Sequence, residues 1–63
     1  MSKTKQEAER LILSLQDRYP MKDLNEIQDI VIWHIKETQI EGDVINEYYW
    51  ESVINWVISY KQD

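Results

Sequence analysis

Apolar residues recur along this chain at helical spacing in three stretches. Ala8, Leu11, Ile12, Leu15 and Tyr19 follow one another by one, three or four positions and form a narrow stripe on one side of a helix. Ahead of them, Thr4 and Glu7 have the spacing of a capping box, in which a hydroxyl and a carboxylate satisfy the first free amides. Pro20 disfavours helical geometry at Tyr19, so the pattern predicts a first helix over about 4–19. Asp23 and Glu26 repeat the cap. Leu24, Ile27, Val31 and Ile35 follow as an inner stripe flanked by His34 and Thr38, predicting a second helix over about 23–41. Gly42, the only glycine, stands where a helix end favours a left-handed residue. Asp43 caps a third helix over about 43–61, with Ile45, Tyr49, Val53, Trp56 and Tyr60 inward and Trp50 and Val57 beside them.

The rival reading of residues 44–60 is a strand, because Val, Ile, Tyr and Trp favour sheets. The polar residues Asn46, Glu47, Glu51, Ser52, Asn55 and Ser59 do not alternate, and no turn dipeptide marks a hairpin. The expected fold is therefore all-α, a small three-helix bundle forming a single helical domain over 1–63.

A bundle of 63 residues is marginal, and small proteins usually add disulfides, a metal or association. There is no cysteine, so disulfides and thiolate zinc sites drop out, which leaves good helix packing, self-association or a partner. A surface helix needs only ~100° of apolar stripe. On the third helix the arc runs from Ile45 through Val57, Trp50 and Ile54 to nearly the opposite side. Trp50, Ile54 and Val57 are thus the expected self-association surface of a homodimer, the commonest oligomer.

Charge narrows the partners. Residues 1–22 hold five bases against three acids, a net of +2, whereas residues 23–51 hold eight acids against Lys36, a net of −7. With −5 overall, such a chain repels phosphate, so direct nucleic-acid or anionic-membrane binding is disfavoured and a basic protein surface is attracted. The longest aliphatic and aromatic run, Ile30 to Trp33, is far too short to span a bilayer. No apolar segment follows Lys3 and Lys5, so no signal peptide is expected. With the lack of cysteine this points to the cytoplasm, and the isoleucine-rich, alanine-poor composition to an AT-rich bacterial or phage genome.

Candidate chemistry is sparse. His34 is the only histidine, and with Glu37 it offers two ligands where a metal site needs three or four. The repeated Glu-x-x-His of di-iron bundles is missing. So are a glycine-rich phosphate loop and any Ser-His-Asp set. The short link Glu41-Gly42-Asp43 gives the outline of a helix-turn-helix, but the following helix carries Asp43, Glu47 and Glu51 and no base before Lys61, the wrong sign for a DNA groove. The chain is expected to be no enzyme and to use no metal or cofactor.

Binding is the remaining reading. Glu37 and Glu41, then Glu47 and Glu51, are pairs one helical turn apart, and with Asp43 they are expected to form an acidic corner. Such a row is either a solvated face or a decoy for a phosphate backbone. The three Trp and four Tyr, with no Phe, are the aromatics of surfaces that are apolar but sometimes wet. In the run Tyr48-Tyr49-Trp50, successive side chains point ~100° apart, so Tyr48 points away from the core. Trp33 and Ile40 fall opposite the inner stripe of the second helix, and a Trp ringed by charge is a common binding anchor. The partner-binding set is Trp33, Ile40, Glu37, Glu41, Asp43, Glu47, Tyr48 and Glu51. The expected function is a non-catalytic protein-interaction module, a small acidic regulator or inhibitor of a larger protein. The partner's basic nucleic-acid-binding groove is the sharpest version of that target. The alternatives are a nucleic-acid mimic acting through the acidic face and a structural assembly subunit.

Overall fold

The computed structural model describes residues 2–39 and 42–60. Their elements are α1 (Lys3–Arg18), α2 (Leu24–Thr38) and α3 (Val44–Ser59), with no strand among the described residues. The fold is the three-helix, all-α one that the periodicity predicts.

The helix ends follow local chemistry, with one displacement. α1 is capped by Ser2, not Thr4: Ser2 has an extended backbone and its hydroxyl accepts from the Lys5 amide at 3.3 Å. Thr4 already lies in the first turn, where its hydroxyl meets that of Ser2 at 2.9 Å. Glu7 accepts from Arg10 Nε at 2.6 Å, an arrangement that holds the guanidinium more firmly in its charged form. At the other end Tyr19, before Pro20, leaves helical geometry. Asp23 caps α2 by accepting from the Glu26 amide at 2.8 Å. Asp43 caps α3, accepting from the Asn46 amide at 3.3 Å and its side-chain amide at 2.7 Å.

α2 stops earlier than predicted, at Thr38. Gln39 is extended, and the Thr38 hydroxyl donates to the carbonyls of His34 and, more weakly, Ile35. Gly42 does adopt a positive φ of 91°, but α2 has ended by then, and the left-handed residue serves the turn into α3.

Seven aliphatic side chains form the buried core: Ala8 and Ile12 from α1, Ile27, Val31 and Ile35 from α2, Val53 and Val57 from α3. Leu11, Leu15, Leu24, Ile32 and Ile54 pack against it in part, as do Tyr49, Trp50 and Tyr60. The predicted stripe of α3 is corrected. Val53 and Val57 point inward with Trp50 and Ile54, whereas Ile45 is 84% exposed and Trp56 lies at the edge. Trp56 sits beneath Lys5, whose ammonium is 5.5 Å from the ring centroid, so the start of α1 lies against the end of α3.

Gln28 supplies a tie that periodicity does not reveal. Its side-chain amide donates to the carbonyls of Val57 at 2.7 Å and Tyr60 at 2.9 Å. It thereby satisfies the Tyr60 carbonyl and gives the Val57 carbonyl, which already accepts from the Tyr60 amide at 3.3 Å, a second donor, at the end of a helix with no basic residue in its last turn. Gln28→Ala, and equally Gln28→Glu, which cannot donate, should cost about 1–3 kcal/mol in urea unfolding. Variants as stable as the parent would mean that water serves these carbonyls equally well.

Candidate interaction surface

Nine large hydrophobic side chains are exposed among the described residues, more than the seven residues of the core. They are not spread evenly. On α2, Trp33 is 64% exposed, on the polar side with Asp29, Lys36 and Glu37. On α3, Val44, Ile45, Tyr48 and Ile58 all face water. α1 contributes Leu13, and the turn after it contributes Met21.

The predicted partner-binding residues divide accordingly. Trp33 and Glu37 lie one turn apart on the outward side of α2. Glu47, Tyr48 and Glu51 lie on the outward side of α3, all exposed. Asp43 is half-buried and already engaged as the cap of α3, which leaves it less free to serve a partner. Ile40 and Glu41 lie outside the described residues. The predicted dimer surface is not an exposed patch: Val57 is fully buried, and Trp50 and Ile54 are half-buried against the core. Once Val53 and Val57 set the inward direction of α3, these neighbours turn inward with them. Sequence reasoning missed Val44 and Ile58; both fall in the same spacing of three and four as Tyr48, a second row that an inward-looking search passes over.

Two hollows stand out among the described residues. A groove of about 280 Å³ runs between α1 and α2 with Leu11, Leu15, Ile30, Val31 and Ile35 as its floor and Arg18 and His34 at its rim. A second hollow of about 320 Å³ lies beside Trp56 and Lys5. Among the described residues no three His, Asp or Glu side chains come close enough to hold a metal ion, and none of the helices is long and apolar enough to cross a membrane. Among the described residues the ion pairs are Glu7 with Arg10 and Lys22 with Glu26; both are local and partly exposed, so they contribute little to stability.

The chain matches no protein-family model, no curated protein and no solved structure.

Exposure and burial separate two kinds of variant. Ile27→Ala empties a fully buried site and should cost about 2–5 kcal/mol, enough to unfold much of so small a protein. Trp33→Ala should shift the thermal midpoint little. A Trp33→Ala protein that melts like the Ile27 variant would place that indole in the structural core. Added zinc or manganese, and chelators, should leave the midpoint of the parent unchanged; stoichiometric stabilisation by either ion would restore a metal site.

Proposed function

We propose that this chain is a non-catalytic protein-interaction module, a small acidic regulator or inhibitor of a larger cytoplasmic protein. The carrying observation is that, among the described residues, Leu13, Met21, Trp33, Val44, Ile45, Tyr48 and Ile58 are each more than half exposed. Single exposed hydrophobes are ordinary, but Val44, Ile45, Tyr48 and Ile58 stand on one helix, together with charged residues that keep the face soluble. Trp33, a large ring among Asp29, Lys36 and Glu37, has the make-up of a binding anchor.

A second reading, mimicry of nucleic acid, is favoured by one feature. Glu47 and Glu51 stand one turn apart, exposed and without an ion pair among the described residues, so their charge is available to a basic groove. Self-association, if it occurs, must use residues other than Val57.

Affinity capture from the source organism, washed at low and at high salt, tests these readings together. A partner retained at both, and lost with Trp33→Ala or Tyr48→Ala, supports the interaction module. Release by salt together with loss on Glu47→Lys and Glu51→Lys supports mimicry, because exposed charges are screened over ~8 Å at physiological ionic strength. Recovery of the chain alone, as an oligomer, would replace the regulator with a structural subunit.

A further inference from the structure

We propose that the outer face of α3, built from Val44, Tyr48, Glu51, Asn55 and Ile58, is a docking face for a basic amphipathic helix of another protein. This rests on the interaction-module reading and names its surface and the chemistry of its partner.

α3 is apolar on two sides. Its inner side carries Val53 and Val57, both fully buried. Its outer side carries Val44, Tyr48 and Ile58, which are 56%, 71% and 61% exposed. The outer residues are separated alternately by four and three positions, the spacing at which one helix runs along another. A surface helix with one core-facing stripe has no need of that second row.

Charge decides what covers the face. Glu51 lies within the row and Glu47 beside it, and no Lys, Arg or His occurs anywhere from Gly42 to Tyr60. Neither carboxylate has an ion pair among the described residues. A second copy of α3 is a poor occupant. Laid on this face in register, parallel or antiparallel about the middle of the row, it sets Glu51 against Glu51, and like charges in contact repel. α1 of a second copy is little better. Of its four bases, Arg10 already pairs with Glu7, Lys5 lies over Trp56 and Arg18 over the Tyr19 ring, so docking there would mostly exchange contacts rather than add them. A helix with an apolar stripe flanked by lysine or arginine satisfies both the row and its acids.

The test uses a synthetic amphipathic peptide of about three heptads, with leucine at the seam and lysine beside it, and a counterpart with glutamate for lysine. Titration of the full chain, followed by amide chemical shifts, should place the largest changes at Val44, Tyr48, Glu51, Asn55 and Ile58. Tyr48→Ala and Ile58→Ala should each weaken binding about tenfold without lowering the melting midpoint, and Glu47→Lys with Glu51→Lys should remove it. No binding of the lysine peptide, or equal binding of the glutamate one, overturns the proposal. Shifts centred on Trp33 with Tyr48→Ala silent overturn it too, while leaving the interaction module standing. A dimer in sedimentation that Tyr48→Ala dissociates would give the face to a second copy and overturn it likewise.

Discussion

A core made of Ala8, Ile12, Ile27, Val31, Ile35, Val53 and Val57 has no place for an indole or a phenol. An aromatic ring brings ~150–250 Å² of surface and needs a matching gap between helices. α1 meets α3 as its most extensive neighbour, and the buried residues the two contribute are Ala8, Ile12, Val53 and Val57, with Tyr49, Trp50 and Tyr60 packed only in part against them. The rings therefore lie across the joints. Tyr49 and Trp50 meet edge to face, with centroids 5.1 Å apart, over the side of the bundle, and Trp56 lies under Lys5. This accounts for the use of Tyr and Trp without Phe: a half-wet ring keeps its polar tip in water.

The same constraint turns α3 into a helix with two jobs. Its contribution to the buried core is two valines, so most of its apolar surface lies at the boundary or outside. A helix used this way holds α1 and α2 together on one side and offers a second row on the other. Glu51 within that row and Glu47 beside it keep the exposed surface polar, and their like charge disfavours self-pairing and phosphate.

The sequence was legible where apolar and polar residues contrast sharply. α2 has polar residues on one side and Leu24, Ile27, Val31 and Ile35 on the other, and its core stripe could be read position by position. Asp23 and Asp43 were legible as caps because their short carboxylates suit that position. α3 was not, because apolar residues surround it and periodicity then has no minimum to mark the outside. Val53 was placed inside correctly, but Ile45 and Trp56 were placed there with it and Val57 only beside them, whereas the structure buries Val53 and Val57. Gln28 was illegible for another reason: its acceptors lie 29 and 32 positions away, and no local rule connects them. Among the candidate residues, the exposure of Trp33 and Tyr48 followed from the wheel. The second row on α3 was equally countable, but it shows only once the inward direction is known.

Stability and binding are coupled through that helix. Single cores of this size rarely supply more than ~3–5 kcal/mol. A partner that binds only the folded chain adds stability in proportion to the logarithm of its concentration over Kd, about 2.7 kcal/mol at a hundredfold excess. That increment rivals what the core alone supplies. On the proposed docking face it would act on the element where it matters most, because the helix that exposes Val44, Tyr48 and Ile58 is the one that carries Val53 and Val57 inside. A core too small to bury its own aromatics can therefore be sufficient, provided that the surplus apolar surface is covered when the protein works. On this view the exposed row is the part of the hydrophobic surface that folding leaves for a partner to complete.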